Sequence, residues 1–261
     1  MRQMDLRASP DRSAQLRALA WSAFNALQFA FTLLWTAGCI SAAMAVKALS
    51  GRHDLPLRMA SWLWAPGLLG GAGADLEVDG VDAVDWSRPY LLVSNHQSVI
   101  DICALFRAVP VPLRFLLSRE TMQWPFVGWY ARSLDMPFID RDNPRTAPAT
   151  LREVAERVRG GDSLCLFPEG TRSRDGQVGT FKAAPFQAAI DAGVAVLPVA
   201  LEGTGAVLPA QGFFAVRPGT IRVRFGQPIA TIGAAAPQGR QALAAQAHAA
   251  IAGLLRRPPT S

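Results

Sequence analysis

An α/β fold is what this sequence predicts: a mixed, largely parallel sheet flanked by helices, with an N-terminal membrane-associated helical segment. Three observations lead there. Residues Ala18 to Val46 carry no charge. From residue 75 onward, short apolar runs of strand length alternate with amphipathic stretches. The break Gly70-Gly-Ala-Gly73 separates the two kinds of text. It divides the chain into a membrane-anchoring helical segment, residues 1–72, and an α/β domain, residues 73–261.

The uncharged run from Ala18 to Val46 exceeds the ~20 apolar residues a bilayer-spanning helix needs. It reads as a retained segment. A cleaved signal peptide fits less well, because Arg2, Arg7, Arg12 and Arg17 are spread along a long leader and no clear cleavage site follows. Asn25, Gln28 and the small residues around Ser41 make the run only moderately hydrophobic, and positive charge flanks both ends. Spanning and interfacial placements therefore both remain open, as does a buried core helix. A second apolar stretch, Met59 to Leu69, carries Trp62 and Trp64, residues suited to a headgroup boundary. Together the two stretches read as a helical hairpin dipping into one leaflet.

Within the α/β domain, Leu76 to Gly80 alternates like a strand that ends in a turn, and Tyr90 to Ser94 is a continuous buried-strand run. Leu113 to Leu117 and Pro137 to Asp140 are shorter strands. Thr150 to Arg159 is an amphipathic helix with Leu151, Val154, Ala155 and Val158 on one face, stopped by Gly160-Gly161. Ser163 to Phe167 is a strand, Phe181 to Ala192 a helix, and Val194 to Leu201 a strand. Ile221 to Phe225 alternates cleanly, and Arg240 to Leu255 closes the chain as an alanine-rich helix.

The 261 residues are 50% hydrophobic, enough for a sizeable core, and the net charge is +6. Nearly all the positive charge is arginine, since the only lysines are Lys47 and Lys182. A basic balance fits nucleic acid, an anionic membrane or an anionic substrate. No zinc spacing, aromatic-studded basic strand or dense basic arm supports a nucleic-acid partner. Cys39, Cys103 and Cys165 are odd in number and set in apolar runs, so they read as buried thiols of a reducing compartment.

Chemistry concentrates in two places. The first is Asn95-His-Gln-Ser-Val-Ile-Asp101. A His and an Asp five positions apart face opposite sides of a strand and lie about 140° apart on a helix. They meet only across a change of conformation, which the end of the Tyr90–Val93 run supplies. His96 then sits on a strand-to-helix turn as a candidate general base, with Asp101 accepting its ring N–H. Ser98-x-x-Asp101 reads equally as a capping box. The second place is Phe167-Pro-Glu-Gly-Thr-Arg-Ser-Arg174, where Arg172 and Arg174 are suited to gripping an anion and Gly170 lets backbone amides approach it. Glu169 orients an arginine or bonds a substrate hydroxyl; a plain surface turn with a Glu-Arg pair is the other reading. Arg141, at the end of a short strand, is a third candidate anion ligand. No Gly-x-Ser-x-Gly elbow, Walker lysine or dinucleotide fingerprint is present.

These residues resemble a known family. Asn95 to Asp101 matches the His-x4-Asp block of the glycerolipid acyltransferases, Phe138-Ile-Asp-Arg141 resembles their second block, Phe167 to Arg174 their third, and Val196-Leu-Pro-Val-Ala200 their fourth. The likeness covers about residues 90 to 205 and leans toward the bacterial 1-acyl-glycerol-3-phosphate branch. It implies that His96 and Asp101 are the catalytic dyad and that Arg141, Glu169, Gly170, Thr171 and Arg172 bind the phosphate and glycerol of lysophosphatidic acid. It further implies an acyl-CoA or acyl-carrier-protein donor, no metal or cofactor, membrane lipids as partners, and a site on the cytoplasmic side of the inner membrane. Other lysolipid acceptors, such as a lyso-ornithine lipid, a non-catalytic lipid-binding role and a hydrolase using His96 to activate water remain alternatives. Two departures stand out: Asp135 where the second block usually begins with glycine, and Ala184 where glycine is frequent. Both are expected to reshape the acceptor pocket or acyl groove.

Overall fold

The continuous apolar runs of the sequence become interior strands, buried on both faces. In a computed structural model, which describes residues 12–211, 214–231 and 238–257, the strands are β1 (Ala74–Asp79), β2 (Leu91–Ser94), β3 (Leu113–Phe115), β4 (Leu117–Ser118), β5 (Phe138–Ile139), β6 (Ser163–Leu166), β7 (Val196–Glu202) and β8 (Gly219–Phe225). The leader residues Arg2 and Arg7 lie outside the described residues. Six strands form one sheet in the order β1-β8-β7-β2-β6-β3, and β4 pairs with β5 in a small parallel sheet. Among these strands only the β7–β8 pair is antiparallel, so the expectation of a mixed, largely parallel sheet holds.

Period-two alternation sorts side chains into two cores. Leu92, Cys165, Leu197, Val199 and Leu201 face one side; Leu91, Val93, Leu164, Leu166, Val196 and Ala200 face the other. The first side is covered by helices α1 (Arg12–Ser50), α2 (Asp54–Met59), α3 (Ala65–Gly71), α4 (Asp101–Ala108) and α5 (Val127–Ser133). The second is covered by α6 (Ala147–Arg159) and by α7 (Gln187–Ala192) and α9 (Gly239–Leu255), with the short α8 (Thr204–Val207) between the last two in sequence.

The segment before β1 shares the first core, through Ile40, Ala43, Met44 and Leu57. Helix α1 lies along the domain, and its polar residues explain themselves there. Asn25 Oδ1 accepts the Val216 N–H at 2.8 Å, Gln28 donates to Gly71 O, and Lys47 donates to Ser133 O. Gly67 and Gly71 permit the close approach, because a β-carbon would come within 2.3 Å of Trp35 at the first and 2.5 Å of Phe31 at the second. A π-helical turn, Ala60–Trp64, joins α2 to α3. The outward face stays apolar and uncovered: Leu19, Leu27 and Leu34 are among its exposed side chains. Its most apolar stretch is only 22% buried, which excludes the buried-core-helix reading.

Several element boundaries differ from expectation: the strand expected over Leu113–Leu117 divides into β3 in the large sheet and β4 in the small one, and two helices change at their N-terminal ends. Helix α6 begins at Ala147, three residues early, because Pro148 sits in the first turn, where its missing N–H costs nothing. The expected helix Phe181–Ala192 shrinks to a 3₁₀ turn, Ala184–Phe186, followed by α7. There the Lys182 amide is committed to Pro168 O at 2.9 Å, so the chain before Pro185 serves the preceding loop instead of a helix.

Candidate active site

Strands β2 and β6 end side by side, and the segments that follow carry both motifs. Ligands of open parallel sheets gather at this carboxyl edge. After β2 the chain does not stop pairing abruptly. The Asn95 side-chain amide exchanges two hydrogen bonds of 2.8 Å with the backbone of Leu201, standing in for one more peptide of the sheet. His96 follows, and α4 begins at Asp101.

Asp101 is fully buried, and its Oδ2 accepts from His96 Nδ1 at 2.7 Å, from the Gln97 amide at 2.7 Å and from the Ser98 amide at 2.9 Å. The dyad and the carboxylate half of the capping box are thus one arrangement, while Ser98 Oγ donates to Leu208 O and accepts the Ile100 amide instead of the Asp101 amide. The carboxylate caps the turn that leads into α4, and the same turn brings His96 to it. An ionised carboxylate only accepts, so Nδ1 carries the proton and Nε2 keeps the lone pair. The Phe167 ring stacks on the imidazole with centroids 4.0 Å apart and planes inclined by 16°, fixing the ring from its flat side.

The arginine-bearing loop wraps the backbone of His96. Glu169 Oε1 accepts the His96 amide at 2.9 Å, Glu169 Oε2 accepts the Gly179 amide at 3.0 Å, and the Ser173 amide donates to His96 O at 2.7 Å. Gln97 donates to Gly176 O at 3.3 Å and faces Thr204 and Gly205 with its oxygen, linking this loop to the segment after β7. Burial raises the Glu169 pKa above the ordinary carboxylate value, against the two amides that lower it.

His96, Arg141, Thr171 and Arg172 line one cavity of about 840 Å³. Its remaining wall is largely apolar, drawn from α1 (Thr36, Ile40), the π turn (Trp64), α4 (Phe106) and the segment Trp124–Phe126. Arg174 does not line it. Neither do Glu169 and Gly170: both Glu169 oxygens are held by backbone amides, and the Gly170 amide donates to Phe167 O at 3.1 Å. Gly170 is needed for another reason. Its φ is +74°, and a β-carbon there would come within 2.8 Å of Lys182 Nζ. Lys182 is therefore a cation beside the loop that sequence spacing did not single out. Glu120, on the cavity wall, is a second residue missed; a bond from Ser118 lowers its pKa, with Arg141 contributing. The fold, not a sequence motif, brings both there.

Neither of the two departures lines the cavity itself. Asp135 has φ +56°, the left-handed conformation that favours glycine, and follows α5 with its carboxylate 3.3 Å from His53 Nδ1. Ala184 is exposed on its 3₁₀ turn.

A partly exposed histidine on a buried carboxylate, at the carboxyl edge of a mostly parallel sheet, opens onto a large and largely apolar cavity that also carries two arginines; the arrangement is able to activate a hydroxyl and has room for a lipid-sized ligand. Residues 75–202 match the family model described as Acyltransferase. The chain is 34% identical over 155 residues to the chloroplast 1-acyl-sn-glycerol-3-phosphate acyltransferase of Arabidopsis thaliana, covering 59% of this chain and 43% of that one. It is 34% identical over 157 residues to a lyso-ornithine lipid O-acyltransferase of Pseudomonas aeruginosa, covering 59% and 58%. The chain thus spans about half the length of these curated relatives. The crystal structure of a 1-acyl-sn-glycerophosphate acyltransferase from Thermotoga maritima shares the fold with a TM-score of 0.76, covering 94% of this chain and 100% of that one at 23% identity.

Proposed function

We propose that this chain moves a fatty acyl group from a thioester, acyl-CoA or acyl-carrier protein, to the free hydroxyl of 1-acyl-glycerol-3-phosphate, making phosphatidic acid. The observation that carries this reading is the shared cavity: His96 Nε2 as base, with Arg141, Thr171 and Arg172 lining the same space. Nε2 takes the hydroxyl proton as that oxygen attacks the thioester carbonyl. The tetrahedral intermediate collapses, the C–S bond breaks, and the imidazolium returns the proton to the departing thiolate. Asp101 stabilises the imidazolium between the two steps. Guanidinium groups hold the acceptor's phosphate, and the apolar wall accommodates acyl chain.

The equal identity to two relatives named for different acceptors makes the acceptor the discriminating question. Two arginines in the cavity favour a phosphate monoester over a zwitterionic head. A panel of lysophosphatidic acid, lysophosphatidylglycerol and lyso-ornithine lipid, scored by product, tests it: phosphatidic acid as the main product supports the reading, and acylated ornithine lipid overturns it.

The same proposal puts α1 in the membrane interface. A 39-residue helix extends about 58 Å, and this one is bonded to the domain from Asn25 to Lys47, a geometry that suits lying on a leaflet better than crossing it. The site then faces the cytoplasm at the inner membrane, where thioester donors reside; the free, buried Cys39, Cys103 and Cys165 agree with a reducing compartment.

A further inference from the structure

Large hydrophobic side chains exposed among the described residues are not scattered. All lie in α1 or the π turn except four: Val99, Trp124, Phe126 and Trp129. Three of those four, Val99, Trp124 and Phe126, also line the cavity that holds His96. The opposite side of the sheet, covered by α6, α7 and α9, exposes none among the described residues.

The Trp124–Trp129 segment is built to hold these rings outward. The Val127 amide donates to Pro125 O at 2.6 Å, closing a γ-turn centred on Phe126, whose φ of 61° and ψ of −51° belong to the rare positive-φ form. A bulky residue in that region is an outlier held by its surroundings. Here the Trp124 amide bonds to Thr121 O at 3.1 Å, and Arg132 bonds to Met122 O at 2.9 Å. Helix α5, which follows, is fastened to the N-terminal segment by Tyr130 Oη on Pro56 O at 2.9 Å and by Lys47 on Ser133 O. Exposed aromatic rings in a strained turn gain nothing from water. At a lipid headgroup boundary, aromatic rings with charged neighbours are favoured. Exposed charged residues are at hand: Arg132 on α5 is exposed, as is Glu120, and in the N-terminal segment Arg58 lies 5.8 Å from the centroid of the exposed Trp62 ring.

We propose that Trp124, Phe126 and Trp129 form a second membrane-contacting element, seated in the same anionic leaflet as α1, so that the cavity mouth opens directly onto lipid. This rests on the interfacial placement of α1 argued above. The lysolipid then reaches His96 laterally, with its chain passing between α1 and this segment and its phosphate meeting Arg141 and Arg172 at headgroup depth.

The test uses the full chain, with native Cys39, Cys103 and Cys165 replaced by alanine, and single cysteines carrying an environment-sensitive fluorophore at Phe126→Cys, Trp129→Cys, Leu34→Cys or Glu156→Cys. Vesicles of phosphatidylethanolamine and phosphatidylglycerol are used, with and without nitroxide-bearing lipid. The expected result is blue-shifted emission and nitroxide quenching at 126 and 129, as at 34, with 156 remaining aqueous. Labels at 126 and 129 that behave like 156 while 34 is quenched overturn the proposal alone. An aqueous label at 34 overturns the interfacial placement of α1 as well. Should Phe126→Cys not fold, Trp129→Cys decides by itself, because its backbone is helical.

Discussion

Glu169 accepts the backbone N–H of His96 at 2.9 Å, and the same carboxylate accepts Gly179 at 3.0 Å, so the arginine-bearing loop and the histidine form one hydrogen-bonded unit. Glu169 acts through His96 and is a positioning residue in this structure. Glu169→Ala leaves two amides unsatisfied, each costing about 1–3 kcal/mol. Small displacements of a catalytic group cost about 10²-fold in rate. The expected outcome is a loss of about that size in kcat together with a lower Tm. Glu169→Gln, which keeps one acceptor, retains more of both.

The raised pKa of Glu169 has a consequence for stability. Because the folded value lies above the unfolded one, folding takes up a proton. This contribution is fully present below the unfolded carboxylate pKa and is lost as pH rises through the raised folded value. Denaturant titrations across that acid window should show this contribution as the difference between the wild type and Glu169→Gln, since lowered carboxylates such as Asp85 titrate with the opposite sign in both.

The dyad predicts separable losses. His96→Ala abolishes acyl transfer and leaves membrane association intact. Asp101→Asn keeps an oxygen for the turn amides but favours the wrong imidazole tautomer, and costs roughly 10³–10⁴-fold in kcat. Vesicle flotation and steady-state rates measured on the same preparations check both.

Arg172 and Arg141 line the cavity together with His96, so Arg172→Ala raises the acceptor KM with little change in kcat. A charge-assisted hydrogen bond of about 1.5–3 kcal/mol corresponds to roughly 10- to 100-fold. Arg174→Ala, outside the cavity, leaves KM near the wild-type value. Kinetics with varied lysophosphatidic acid separate the three arginines.

Asp135 carries backbone strain at φ +56° while making an exposed pair with His53. Asp135→Gly relieves that strain, worth up to ~1 kcal/mol, and the surface pair offsets little of it. A Tm increase with unchanged activity is the expected outcome.

Most of the fold and part of the site were legible in the residues. The buried runs named their strands because continuous apolarity and strand length leave little else. The α6 face Leu151, Val154, Ala155 and Val158 was read directly from its period. Spacing, with the end of the Tyr90–Val93 run, places His96 and Asp101 on a turn. What spacing cannot convey is which partner a polar group chooses. Proximity in sequence pairs the Glu169 carboxylate with Arg172, yet it bonds two backbone amides, one of them 73 residues distant. Asn25 and Gln28 looked like blemishes in an apolar helix, and they are its attachments to the domain. The aromatic segment 124–129 gave no periodic signal, because a γ-turn and a short helix present it.

Direct attack is the central claim: His96 activates the acceptor hydroxyl, with no acyl-enzyme and no water as nucleophile. Thiol release from acyl-CoA, followed from the first turnover with and without lysophosphatidic acid, tests this most directly. Direct attack predicts release only when acceptor is present, one thiol for each phosphatidic acid formed, and none in His96→Ala. A stoichiometric burst or steady thiol release without acceptor would contradict it.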